Sequence, residues 1–343
     1  MTALTERRAF PFLGDTLDDL EGISQHRLSC WLHCLRDCLY ASGLHDTVRA
    51  LAQPLDFAVE RDADGNVVTL YGGLETDYHN PSFQRGLSAS WVAASPAPEA
   101  ALDRVRAELE RGHAVPLSPN LSEMRHSEFY RVPFVGYPHT LIVHSLGRDT
   151  AGIADRNSRK SAGFTEHRGT VPLDELRQGM AGAPLLVFDV ASPAADWDTE
   201  LRALLTRSVR RLGEPDGAGR GLAGIKSLPE VIEEVSRHPR HLHMRVAGPL
   251  QRQVAGDRRL LASVLTREAD EGRSPYAPER DLNLARLLHE SSDSFMSLAR
   301  CVHLNARSWS RAALDRCRML SSRIYDLDAR VTDLLTARLT AAA

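Results

Sequence analysis

No apolar run in the chain approaches the roughly 20 residues that a membrane-spanning helix needs; Pro184-Leu185-Leu186-Val187-Phe188 is typical of the longest. Met1 to Phe12 mixes acids with arginines and has no apolar core of signal-peptide length, so a cytoplasmic protein without membrane association is expected. Lysine is nearly missing. Lys160 and Lys226 are the only two, and arginine carries the rest of the positive charge, a bias that fits a GC-rich genome. No dense basic run is interleaved with aromatics, and the net charge of −3 is slightly acidic; both argue against nucleic acid as a partner. Cysteine is sparse as well. Cys30, Cys34, Cys38, Cys301 and Cys317 are the whole set, and a cytoplasmic protein keeps them as reduced thiols.

What is present is an ordinary globular composition, 43% apolar and 25% charged, on a chain of 343 residues that has room for two domains. That composition separates neither enzyme from binding module. The charge is unevenly spread: residues 201–343 hold 24 Arg and Lys against 17 Asp and Glu, while residues 1–200 are acidic. The basic excess reads as a solvated surface or as a docking face for an acidic partner. Arg202, Arg207, Arg210 and Arg211 are its densest stretch.

Periodicity divides the chain near residue 193. Over 1–192 an irregular start leads into a helix at about 29–42, with Ser29 as N-cap and Gly43 just past the C-terminus. A short helical piece at 45–51 precedes a hairpin, 56–60 and 67–71, whose turn is Asp62-Ala63-Asp64-Gly65-Asn66. Its inward faces read as Phe57 with Val59 and Val68 with Leu70. Residues 72–97 read as loop. A helix over 98–112 puts Leu102, Val105, Ala107 and Leu109 inward. Strands follow at 114–118, 139–146, 151–155 and 185–190, with a helix at 172–180. The domain is α+β with an antiparallel sheet. Over 193–343 the strand signals vanish and about five helices, at 197–212, 226–237, 247–271, 281–303 and 306–339, make an all-α bundle. Phe295, Trp309 and Tyr325 belong to its core. There is no solenoid-period repeat.

The chemistry centres on Ser29-Cys30-Trp31-Leu32-His33-Cys34-Leu35-Arg36-Asp37-Cys38-Leu39-Tyr40-Ala41-Ser42-Gly43. Cys30, Cys34 and Cys38 share one helix stripe. Core packing suits two of them better than a metal site, whose ligands come from a knuckle or from separate elements. Cys30 sits at the helix start, where the macrodipole favours thiolate. A nucleophile also needs a base and something that orients the base. His139 opens one strand and Asp155 closes the next after a tight turn at Arg148-Asp149-Thr150, so the two can meet at one sheet edge. Cys34, beside His33, is the rival nucleophile and a candidate to line the site, as is His126. His144 points to the other face of its strand, and Asp149 is solvated. His238, His241 and His243 lie around Pro239 and read as loop histidines rather than as a metal site.

A cysteine at a helix start, then a histidine at a strand start, then an acid on the next strand is the order of papain-like cysteine enzymes. Cys30 to Gly43 resembles the cysteine-led helix of the bacteriocin-processing cysteine peptidases. His139 to Asp155 is similar to their histidine-strand-turn-strand-aspartate unit, with Arg156 where those peptidases often have proline. Nearly the whole chain resembles the butirosin biosynthesis protein H family, in which a papain-like domain precedes a helical one. The resemblance rests on Cys30–Gly43, the Pro116 strand, Arg125-His126-Ser127-Glu128-Phe129-Tyr130 and the pair His139 and Asp155. It extends to Gly221-Leu222-Ala223-Gly224-Ile225, the 258–265 helix and Trp309.

That resemblance implies an acyltransferase of natural-product or antibiotic biosynthesis. It would move an acyl or aminoacyl group from the phosphopantetheine thioester of an acyl or peptidyl carrier protein to a small-molecule amine, with no bound cofactor and no metal. Cys30 would hold the acyl group, His139 would act as base and Asp155 would orient it. The Cys30 backbone N–H would hold the oxyanion. Gln25 is the side-chain oxyanion donor by analogy, though its gap to Cys30 is one residue shorter than in papain-like enzymes. Two other readings stand beside this one: a cysteine hydrolase (peptidase, amidase or thioesterase) with the same triad, and a non-catalytic scaffold. The helical bundle also suits a homodimer.

Overall fold

The computed structural model describes residues 30–44, 46–72, 87–92, 97–127, 130–131, 139–160, 163–190, 197–213, 219–238, 240–273 and 278–341. In chain order the elements are α1 (Cys30–Ala41), α2 (Thr47–Leu51), β1 (Ala58–Arg61), β2 (Val67–Tyr71), β3 (Leu87–Val92), α3 (Pro98–Glu110), β4 (Val115–Leu117), β5 (Leu141–Leu146), β6 (Thr150–Lys160), β7 (Gly163–Pro172), α4 (Leu173–Gly179) and β8 (Leu185–Val190). Helices follow: α5 (Trp197–Gly213), α6 (Gly221–Lys226), α7 (Leu228–Ser236), α8 (Arg240–Pro249), α9 (Ala255–Asp270), α10 (Pro278–Asn305) and α11 (Arg311–Ala341). The protein is therefore mixed α+β with a C-terminal helical region. None of the described helices is long and apolar enough to cross a membrane.

The described residues fall into two compact units, 30–50 with 87–190 and 51–72 with 197–341. The first is built on a six-stranded antiparallel sheet in the order β3-β8-β4-β5-β6-β7. Leu102, Val105 and Leu109 of α3 and Leu176 of α4 share one core with Leu117, Leu141, Val143 and Ile153 of the sheet. Helix α1 packs against β4, β5 and β6. Every residue of α1 from Cys30 to Leu39 is buried, the polar His33, Arg36 and Asp37 included. It stops where Gly43 takes φ +90. The Leu44 N–H then reaches Leu39 O at 3.0 Å and the Gly43 N–H reaches Tyr40 O at 3.0 Å, the paired bonds of a Schellman cap.

Two strands depart from the sequence reading. Residues 87–92, expected as loop, are β3 on the sheet edge. Gly163–Pro172, not expected as a strand, is β7 and pairs along most of β6. Leu87-Ser88-Ala89-Ser90-Trp91 does alternate, a short signal outweighed by the Gly, Asn and Pro residues before it, whereas 163–172 does not; pairing to an existing edge supplies the backbone bonds of both. Ala107 of α3 is exposed rather than inward.

The hairpin β1–β2 corrects the expected domain plan, in which it belonged to 1–192. It packs with the helices of the second unit. The Val59 N–H bonds Gly219 O at 2.8 Å, the Gly221 N–H bonds Phe57 O at 2.8 Å, and the Val67 N–H bonds Glu234 Oε1 at 2.6 Å. Its buried residues are Phe57, Ala58, Val67 and Leu70; Val59 and Val68 are only partly covered. Phe57 stacks on Phe295 with ring centroids 6.2 Å apart. Where β2 ends, a Cβ on Gly72 would lie 2.7 Å from Asp257 Oδ2 and 3.1 Å from Val254 N, so this close approach needs glycine.

The helical part holds seven α-helices among the described residues, not about five. Pro249 ends α8 in a π-helical turn, Leu250–Val254, that leads into α9. Arg258 on α9, fully buried, forks onto Asp328 of α11, which also accepts from Ser291 of α10 at 2.5 Å. The guanidinium lies over the Phe295 ring at 4.5 Å. His241 and His243 belong to α8, not to a loop. His243 is buried and accepts from the Trp309 Nε1–H at 2.8 Å. On α5, Arg202 and Arg210 are exposed, while Arg211 lies 3.5 Å from Asp56.

Gly72→Ala is expected to destabilise the protein by about 1–3 kcal/mol, because the added methyl meets backbone and a carboxylate. Gly43→Ala meets nothing within 4 Å, so its cost is the left-handed backbone alone, about 1 kcal/mol. Urea unfolding of the two variants against wild type checks the order.

Candidate active site

The site forms wholly within the first unit, at one end of the β5–β6 ladder. The last paired residues there are Ile142 and Ala154. His139 lies just before β5 and Asp155 just after Ala154, so the turn Gly147–Asp149 brings residues far apart in sequence to neighbouring positions. The β6–β7 register shifts between Asp155 and Ser158. Such a bulge bends the strand and re-aims the side chains beside it, and Arg156 is one of the two residues it displaces from the ladder.

His139 and Asp155 meet as expected: Nε2 lies 2.8 Å from Asp155 Oδ1. Cys30, the first residue of α1, interacts with the same ring through a side-chain hydrogen bond. Cys30, His139 and Asp155 are all buried, at 7%, 6% and 1% exposure. The three named residues are therefore together, in the order thiol, imidazole, carboxylate. The helix start also supplies backbone N–H groups that no helical carbonyl can take.

The electrostatics follow from that order. Burial alone would push the His139 pKa down. The Asp155 charge and hydrogen bond, with the hydrogen bond and charge of Cys30, outweigh it and raise the ring from 6.5 to about 10. Burial alone would push Asp155 up. The His139 charge and the hydrogen bonds from His126 and His139 reverse this and hold the carboxyl well below the ordinary range. The pair thus favours imidazolium beside carboxylate.

Cys34 is engaged away from the ring. Its thiol donates to the Thr140 carbonyl at 3.3 Å. Burial, followed by the neighbouring Cys30, Cys38, Asp37 and Asp155, pushes its pKa well up, so it stays protonated. The same bond ties the second turn of α1 to the residue after His139. Thr140 is further held through its hydroxyl, 3.0 Å from that of Ser118. Cys38 is likewise buried with its pKa raised by that burial and by Asp37. Among the described residues no group of three His, Cys, Asp or Glu is arranged to hold a metal ion.

His126 does more than line the site. Its Nε2 lies 3.0 Å from Asp155 Oδ2. The ring stacks on His167 of β7, centroids 4.5 Å apart and planes 16° from parallel. His167 is the register partner of Asp155, and nothing in the sequence reading singled it out. The signal that could have found it was a long β6 continuing into a return strand. His144 is half-buried, as befits a structural residue, and Asp149 is exposed in its turn. Ser29, Gln25, Glu128 and Phe129 lie outside the described residues. The protein matches no protein-family model and no curated protein.

Folding raises the His139 pKa, so its stabilising contribution is complete below about 6.5 and is lost as pH climbs through about 10. Asp155 is shifted down, so its contribution is present above the ordinary carboxylate range and fades on acidification. In 15N-resolved NMR the His139 ring is expected to remain imidazolium at pH 8 and to titrate near 10. Titration near 6.5 would contradict the coupling.

Proposed function

We propose that the protein is a papain-like Cys–His–Asp acyltransferase that forms an amide from a carrier-bound acyl thioester. The observation that carries the reading is the single hydrogen-bonded line from Cys30 at the start of α1, through His139, to the buried Asp155. The sequence resemblance to the butirosin biosynthesis protein H family, which joins a domain of this kind to a helical one, points to transfer rather than hydrolysis.

In this mechanism the Cys30 proton already rests on His139, as the raised ring pKa favours, and the thiolate attacks the thioester carbonyl carbon of the phosphopantetheine arm. The oxyanion is met by backbone N–H groups at the α1 start, the Cys30 N–H among them. The intermediate collapses, the pantetheine sulfur leaves with the proton held by His139, and the acyl group remains on Cys30. The amine then attacks that carbonyl while His139 takes its proton. The C–N bond forms, the C–S bond breaks, and the ring keeps the amine's proton beside the released Cys30 thiolate. Asp155 keeps the ring oriented and offsets its positive charge at each stage. A cytoplasmic location and an acyl or peptidyl carrier partner go with this reading.

Incubation with an acyl-loaded carrier protein should add the mass of one acyl group to the wild-type chain. Cys30→Ala and Cys30→Ser should fold and stay unmodified. An adduct that persists in Cys30→Ala overturns the assignment. Supplying an amine should convert the acyl group to amide; free acid formed at the same rate with and without amine would identify a hydrolase instead.

A further inference from the structure

We propose that His126 is the positioning residue of this triad: it donates Nε2–H to Asp155 Oδ2 and so holds the carboxylate with Oδ1 on His139. The inference rests on the triad reading above and adds to it a fourth group.

A buried carboxylate that accepts from one side only can rotate about its Cβ–Cγ bond and lose the geometry its partner needs. Asp155 accepts on both oxygens, from His139 at 2.8 Å and from His126 at 3.0 Å. Two donors on two oxygens fix the plane of the group. The ring of His126 is itself fixed by stacking on His167, which β7 places directly opposite Asp155. The turn that carries His126 is pinned next door, where the Arg125 N–H bonds Glu175 Oε1 of α4 at 2.8 Å. The titratable groups facing His126 are therefore Asp155 and His167, with Glu175 one residue along and His139 beyond the carboxylate.

Nε2 of His126 faces a carboxylate, which only accepts, so that nitrogen carries a hydrogen and donates it to Asp155. His139 keeps the other role, gaining and releasing a proton against Cys30. Two histidines on one aspartate thus divide the work, one to hold and one to transfer.

The test is the pH profile of Cys30 alkylation by iodoacetamide, followed by peptide mass spectrometry, which needs no acyl donor. H126F keeps a ring to stack on His167 but has no donor. It is expected to raise the midpoint of the profile by about one pH unit. H126Q, whose amide can present an N–H near the Nε2 position, should recover most of the shift. H126N, whose shorter amide reaches only the Nδ1 position, should behave like H126F and replaces it if that variant does not fold. A midpoint that stays put or falls in H126F or H126N overturns the inference, as does failure of H126Q to recover. H139A runs alongside. If H139A leaves the Cys30 profile unchanged, the triad reading itself fails; if H139A moves it and the His126 variants do not, only the role of His126 fails.

Discussion

A carboxylate taken out of water must be matched where it lands, and Asp155, at 1% exposure, is the group around which the first unit is arranged. Leaving such a charge uncompensated costs several kcal/mol. Two imidazoles meet it instead, one on each oxygen. Each comes from a different part of the chain. His139 comes from just before β5, a turn after β4 brings His126, and the partner strand β7 brings His167 against that second ring. The β6–β7 bulge directly after Asp155 is the local irregularity this convergence needs, because a regular ladder would continue past the acid without re-aiming it.

Helix α1 is the second fixed part. It is buried along its length, so it cannot rotate to present a different residue without exposing apolar surface. The Schellman cap at Gly43 fixes one end, and the Cys34–Thr140 bond fixes its register beside His139. Three cysteines on one stripe therefore become three different groups. Cys30 meets an imidazole, Cys34 a carbonyl, and Cys38 is fully buried near the Asp37 charge. Cys301 and Cys317, with sulfurs 3.2 Å apart between α10 and α11, show the contrast in the second unit. There burial and the neighbouring sulfur push the Cys317 thiol up, away from thiolate. What distinguishes Cys30 is its company, a histidine already held by an acid.

Local signals in the sequence were sufficient wherever the structure is locally determined. Gly43 stops α1, Gly112 at φ +90 follows α3, and the Asp62–Asn66 turn joins β1 to β2. The α+β class and the helical C-terminal region were legible for the same reason. Where a segment depends on what it pairs with, the pattern was silent. Gly163–Pro172 alternates poorly and becomes a strand because β6 offers it an edge, and Leu87–Val92, whose alternation covers only five residues after a Gly-, Asn- and Pro-rich stretch, pairs with β8. The hairpin at 58–71 was legible as a hairpin, but its allegiance was not: the groups that hold it, Glu234, Gly219 and Phe295, lie well over a hundred residues later in the chain.

The site divides along the same line. A cysteine at a helix start, a histidine at a strand start and an acid after a hairpin are each readable from adjacent residues, so Cys30, His139 and Asp155 could be named from the sequence. His126 could be named only as a neighbour, since its bond to Asp155 spans two strands and a turn. His167 could not be named at all, because its strand was not visible. The residues that form the line from thiol to carboxylate are thus local features brought together, whereas those that keep the carboxylate still exist only as a product of the assembled sheet. An arrangement of this kind can be recognised before it is folded, but the rigidity that holds it belongs to the tertiary structure alone.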